Sequence, residues 1–320
     1  MPPPAMPGWS VVVHGGAGKI SRSRDTATDM DGMRAALDCA VDVLEGRAPR
    51  RPLRPDGMRS QALAAAIQAV MELEDRPTFN AGKGSVLSDG GWVEMEAAVV
   101  EGWNRDSGAA CGLRSVRHAV ELAEIVRVTT PHTLIGFDDA EELAKGKGLE
   151  VRAPEWFVVE ARVEQQRRAA ERGLVVVDRD EAAGREGMGT VGAVVRDGEG
   201  RVAAAVSTGG RSNKMAGRVG DSACVGAGVY AGPLAAVCGT GVGEAFVRHS
   251  ACAQVGFAMQ YGKLSLQEAV RKVVYEEMDE GDGGIIAVGA DGSMSVEFNS
   301  LGMFWGKQHS EGGREFGIWK

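Results

Sequence analysis

The chain has 320 residues, a formal net charge of −8, 44% hydrophobic residues and 25% charged residues, enough for one large globular domain or two small ones. The acidic balance argues against a phosphate-backbone partner, which needs clustered Lys and Arg. No apolar run approaches the ~20 residues of a membrane-spanning helix. Cys39, Cys111, Cys224, Cys238 and Cys252 form no CxxC pair, a pattern that suits free thiols in a reducing cytoplasm better than disulfides or zinc.

The opening residues, Met1 to Pro7, are proline-rich and lack the basic and apolar regions of a signal peptide. They read as a disordered lead-in. Trp9-Ser-Val-Val-Val-His14 reads as a buried strand that ends in the turn Gly15-Gly-Ala-Gly18. Apolar residues at three- and four-residue spacing predict helices over 26–45 and 59–74, separated by a solvated basic loop at 47–54. Glycine-rich turns fill 79–102 around a strand near 92–100, and helices follow at 115–128 and 138–145. The stretch 154–189 reads as an exposed, mobile connector carrying one charged helix at 160–172.

Next come two strand-like segments, 191–196 and 201–208, around the turn Asp197-Gly-Glu-Gly200. Pairing outward from that turn sets Thr190 opposite Ser207, with Thr208 one step away. A second hairpin joins 284–289 to 293–298 around Asp291-Gly292, and helices are predicted at 243–261 and 265–277. Alternate residues on both faces of these strands are small or apolar, so both faces are covered. The resulting fold class is α+β, layered helix, sheet, sheet and helix.

Familiar catalytic signatures fail. Gly82-Lys-Gly-Ser85 lacks the Lys-Ser/Thr step of a P-loop, no serine sits in G-x-S-x-G, and the five histidines form no metal-ligand pair. His14 reads as a satisfied core histidine. Glu94 and Glu96 share a strand face as an acid/base pair would, although the plainer reading gives one of them a structural role. What remains is a set of threonines beside glycines. An internal Thr190 has nothing to accept its proton, but cleavage of the Gly189–Thr190 bond would free an α-amine of pKa ~7.7–8.0, able to act as general base. Gly217-Arg-Val-Gly-Asp221 offers Arg218 and Asp221, a guanidinium and a carboxylate that fit the two charges of an amino acid. Gly239-Thr-Gly-Val-Gly-Glu244 places a hydroxyl and backbone N–H groups before a helix, suited to an oxyanion.

In order and spacing, these segments resemble the plant-type asparaginase/isoaspartyl peptidase family of N-terminal nucleophile hydrolases. The likeness runs from His14-Gly-Gly-Ala-Gly18 to Phe298-Asn-Ser-Leu-Gly-Met303 and includes Phe79-Asn-Ala-Gly-Lys-Gly-Ser85, Val93-Glu-Met-Glu-Ala97, Gly189-Thr-Val-Gly192, Ser207-Thr-Gly-Gly210 and Asn213-Lys-Met215. The resemblance implies an αββα sandwich made as an inactive precursor, cut into an α chain (1–189) and a β chain (190–320) that assemble as (αβ)2. By that likeness Thr190 is nucleophile and base, Thr208 tunes it, and Asn80 shapes its surroundings. Arg218, Asp221 and the Gly243 carbonyl grip the substrate, while Thr240 and the Gly241 N–H form the oxyanion hole. The expected substrates are small molecules, L-asparagine or β-aspartyl dipeptides.

No catalytic cofactor is implied. A structural sodium, or activation by potassium, is implied on the backbone carbonyls of Leu73, Glu74, Arg76, Phe79, Ala81 and Lys83. Met188, Ala98, Ala223 and Glu297 depart from residues usual in the family at those places. Two alternatives stay open: an aspartylglucosaminidase that cleaves sugar–asparagine linkages, and an uncleaved homologue acting only as a binding protein.

Overall fold

The computed structural model describes residues 8–47, 60–173 and 189–320. The lead-in, nearly all of the basic loop and residues 174–188 of the connector, Met188 included, lie outside them.

The strands, numbered in chain order, are β1 (Ser10–Gly18), β2 (Met95–Glu101), β3 (Ser107–Leu113), β4 (Leu134–Gly136), β5 (Val191–Arg196), β6 (Val202–Thr208), β7 (Val229–Ala231), β8 (Ala235–Gly241), β9 (Gly283–Gly289), β10 (Met294–Phe298), β11 (Gly302–His309) and β12 (Gly312–Gly317). The helices are α1 (Ala27–Leu44), α2 (Gln61–Glu74), α3 (Ala119–Thr129), α4 (Phe137–Gly146), α5 (Glu160–Glu171), α6 (Gly243–His249), α7 (Ala251–Gln260) and α8 (Leu266–Lys272). Among the described residues the larger sheet has eight strands, ordered β12-β11-β1-β5-β6-β2-β3-β4, and the smaller has four, ordered β10-β9-β8-β7. All pairs are antiparallel except β3 with β4. Helices and mainly antiparallel sheets make the protein α+β.

Alternation along the strands decides where apolar groups go, because successive side chains point to opposite faces. In β1, Val11 and Val13 enter a cluster with α1, α2 and α3 residues such as Leu37, Leu63 and Leu122. Val12 turns the other way, joining Val194, Ala204 and Val206 against Cys238, Ile286 and Val288 of the smaller sheet. The opposite side of that sheet, Val237, Ile285 and Ala287, packs on Phe246, Cys252, Val255 and Val270. Each fully buried valine or isoleucine contributes ~1.5–3 kcal/mol.

Local chemistry sets the helix starts. Ser60 caps α2 by accepting from Leu63 N, and Glu101 in turn accepts from the Ser60 N–H and hydroxyl. Ser265 and Glu268 form a reciprocal capping box at α8.

Several expectations are corrected. In the first hairpin Val191, not Thr190, pairs with Ser207. The loop holds one more residue than the predicted turn: Asp197 N bonds Arg201 O, and Gly200 takes φ +81°, as in a type I turn closed by a left-handed glycine. The single helix expected at 243–261 is two, broken where Ser250 adopts φ 49°, ψ 46°. The helix expected from 115 begins at Ala119. In the connector, Phe157, Arg162, Gln165 and Ala169 are buried, so this part is packed rather than exposed. Strands β3, β4, β7, β8, β11 and β12 were missed, because β4 and β7 span only three residues and runs such as Ala-Ala-Val-Cys-Gly-Thr-Gly carry no period-two signal.

Candidate active site

Thr190 immediately precedes β5, which lies between β1 and β6. It is buried, and one further step along the β5–β6 ladder sets it level with Thr208. Its hydroxyl is 3.4 Å from the Ser222 hydroxyl. Two glycines let the chain enter here. Gly16 has φ +110°, and a Cβ on it would stand 2.4 Å from Gly189 N; a Cβ on Gly189 would stand 2.6 Å from Thr240 Oγ1.

Around this point the other threonines hold fixed bonds. Thr208 Oγ1 accepts from Gly210 N at 2.9 Å. Thr240, fully buried on β8, accepts from Ala17 N at 3.3 Å, which leaves its own hydroxyl hydrogen available to donate. Asn80 donates to Gly210 O at 2.7 Å and accepts from Val86 N at 2.9 Å, so its amide orientation is determined. Gly241 has φ +148°, and a Cβ there would collide with Asp282 O.

Arg218 and Asp221 converge over Gly243, where a Cβ would lie 2.7 Å from Arg218 Nη2 and 2.6 Å from Asp221 Oδ1. Arg218 donates Nε to Glu244 at 3.0 Å, and Nη1 stands 3.7 Å from Glu96. Burial pushes the Asp221 carboxyl up to about 7; Glu96 adds to the shift and Arg218 opposes it. Glu94 and Glu96 both take structural positions. Glu96 accepts Gly220 N with both oxygens, and Glu94 accepts from Gly217 N, Arg114 and Trp92. The two carboxylates thus pin the backbone on either side of Arg218. Between them lies Lys214, whose ammonium donates to Glu94 O at 2.7 Å and whose basicity burial lowers.

Asn80, Thr190, Thr208, Arg218, Asp221, Gly241 and Gly243 line one pocket. Thr240 stands just behind its wall. Val86, Gln165, Arg211 and Ser212 line it too, and with Ser222 they are the residues that motif reading missed. Ser222 had a signal, since it follows Asp221 directly. Gln165 had none, coming from α5 in the connector. In this arrangement Thr190 shares a pocket with Gly241 and with the guanidinium and carboxylate of Arg218 and Asp221.

His14 corrects another expectation. It is fully buried, with neither ring nitrogen closing a hydrogen bond in the described structure. Desolvation drives its pKa down to about 3 despite the nearby Thr190 backbone, so it is neutral.

Leu73, Glu74, Arg76, Phe79, Ala81 and Lys83 fall on the end of α2 and the turns that lead past Asn80. No group of three His, Cys, Asp or Glu side chains among the described residues suits a metal. A Cβ on Gly82 (φ +51°) would stand 2.2 Å from Glu74 O, and one on Gly84 would stand 2.0 Å from Phe79 O, so only glycine fits these two positions of the turn.

A family model described as "Asparaginase" matches residues 7–318. The chain is 38% identical to "Isoaspartyl peptidase" of Escherichia coli strain K12 over 307 residues, covering 92% of each chain. It is 38% identical to "Isoaspartyl peptidase/L-asparaginase" of Xenopus laevis, covering 92% of this chain and 90% of that protein. It is 35% identical to the Homo sapiens protein of the same name, covering 96% and 95%.

Proposed function

The chain belongs to the asparaginase family, whose model spans it, and from that premise we propose an autoprocessed threonine amidohydrolase acting on L-asparagine and β-aspartyl peptides. The observation that carries the reading is the convergence of Thr190, Thr208, Arg218, Asp221 and Gly241 on one pocket. Three separate apolar clusters support a four-layer αββα stacking.

Thr190 Oγ attacks the Gly189 carbonyl, the peptide becomes an ester, and water hydrolyses it to leave residues 1–189 and 190–320. The freed Thr190 amine then takes the proton from its own hydroxyl during attack on substrate. Arg218 binds the α-carboxylate; Asp221 and the Gly243 carbonyl bind the α-ammonium. Thr240 and Gly241 N–H donate to the tetrahedral oxygen, where loss of one donor typically costs about 10²–10³ in rate. Thr208 and Asn80 position the nucleophile. Ammonia or the peptide amine leaves, and water releases aspartate from Thr190.

We further infer a sodium ion on the carbonyls of Leu73, Glu74, Arg76, Phe79, Ala81 and Lys83, where it orders the turn that carries Asn80. The assembly is (αβ)2, and free thiols at all five cysteines suit a cytoplasmic location.

Intact mass and ammonia release test the reading together. The wild-type chain should lose its 33.6 kDa species as activity appears, and Thr190→Ala should stay whole and inactive. An active chain that never divides would refute the mechanism.

A further inference from the structure

A second pocket adjoins the first, and Gly241 lines both. Its walls come from the end of β1 (Ala17, Gly18, Lys19), the residue after β8 (Val242) and two loops, 280–282 and 299–301. The polar groups of these loops are mostly consumed internally. Asn299 accepts from Gly283 N and donates to the Val274 and Asp279 carbonyls. Asp282 accepts from Asp279 N, and Ser300 donates to Gly302 O.

Two charged groups have no such engagement: among the described residues, Lys19 and Glu280 make no ion pair or side-chain hydrogen bond. Lys19 is half-buried and Glu280 exposed. The apolar walls are Ala17, Val242 and Leu301, the last 66% exposed and available for contact. Gly189 lies where the two pockets approach each other, against Thr240 Oγ1 and the Ala17 backbone. In the uncut chain this residue carries the carbonyl that Thr190 attacks, so the cut at Thr190 frees the space it fills between the two pockets.

Resting on the amidohydrolase reading above, we propose that this second pocket is a leaving-group subsite for the C-terminal residue of a β-aspartyl dipeptide. Lys19 pairs with the terminal carboxylate, and Leu301 and Val242 pack an apolar side chain. Glu280 disfavours an acidic one. In the reaction Thr190 Oγ bonds to the isopeptide carbonyl carbon and the carbon–nitrogen bond breaks. The leaving nitrogen takes the proton held by the Thr190 α-ammonium, and the amino acid departs through this pocket. Asparagine, which releases only ammonia, does not reach Lys19.

Steady-state kinetics on the matured protein separate the outcomes. With β-aspartyl-leucine, Lys19→Ala should raise KM about tenfold, the scale of one charge-assisted contact, while Lys19→Arg retains most of the affinity. Asparagine kinetics should not change, nor should those of β-aspartyl-leucinamide, which lacks the carboxylate. The wild type should prefer β-aspartyl-leucine to β-aspartyl-glutamate, and Glu280→Gln should narrow that gap. Equal effects of Lys19→Ala on all three substrates, or no effect on any, would overturn the subsite. Wild-type turnover of asparagine without any dipeptide cleavage would also overturn it while leaving the amidohydrolase reading intact. A chain that stays uncut and turns over neither substrate would instead refute the amidohydrolase reading.

Discussion

At the scale of single residues, Asp221 gives the sharpest expectation. Its carboxyl is held up to about 7 by burial and Glu96, and only the ionised form can bind an ammonium. Affinity for asparagine should therefore weaken below neutral pH as a rise in KM, whereas the Thr190 amine should govern kcat. Asp221→Asn should raise KM at least tenfold and flatten its pH dependence; an unchanged KM profile would remove Asp221 from substrate binding. For the free protein the sign is opposite. A carboxyl raised from about 3.9 when unfolded contributes stability below that value, and loses it as pH climbs towards about 7. Much of this was legible in the sequence, because Thr190, Arg218, Asp221 and Thr240 stand beside glycines in short motifs. Their partners were not legible: nothing in the sequence says that Glu96 would grip Gly220, or that Gln165 of α5 would line the same pocket. Glu297, a departure from the family pattern, is held by Tyr275 at 2.8 Å and Arg271 at 3.1 Å.

Between elements, one buried chain of contacts joins α2, α3 and β6. Glu74 is fully buried, accepting from Ser207 Oγ at 2.6 Å and Val120 N at 3.2 Å, with His118 Nδ1 at 3.2 Å. Burial lowers the His118 pKa, but the bond to Glu74 and the charges of Glu74, Asp75 and Glu121 outweigh it, so the net shift is upward. Glu74→Ala strands these groups and should cost about 3 kcal/mol in urea unfolding. His118 contributes stability that is whole below its unfolded pKa near 6.5 and is lost as pH rises through its raised folded value. The penalty should thus be larger at pH 6 than at pH 9, and a pH-independent penalty would show that His118 is uncharged throughout. Helices with regular apolar spacing, such as α1 and α2, were readable to within a residue or two. The hairpin register was not, because one left-handed glycine at position 200 decides it. The break at Ser250 was equally hidden, since the apolar pattern continues across it.

For the molecule as a whole, the inferred sodium should show itself in stability more than in chemistry. Replacing sodium with a bulky organic cation should lower Tm by about 2–4 °C for each kcal/mol of binding lost. If Tm does not respond to any monovalent cation, the carbonyl loop holds none. That strands β5 and β6 are buried on both faces was legible from their small and apolar alternate residues. The docking of α5 was not, because its charged composition conceals the buried Arg162 and Gln165.

The strand order of the larger sheet has a further consequence. Strands β12 and β11, β1, β5 and β6, then β2, β3 and β4 belong alternately to 190–320 and 1–189. A cut at Thr190 therefore divides the polypeptide without dividing the sheet, and each product supplies edges that the other's backbone must satisfy. Neither piece retains the larger sheet alone, although 190–320 keeps the whole of the smaller one. Isotope-labelled and unlabelled mature protein, mixed under native conditions, should not trade halves at any temperature below global unfolding.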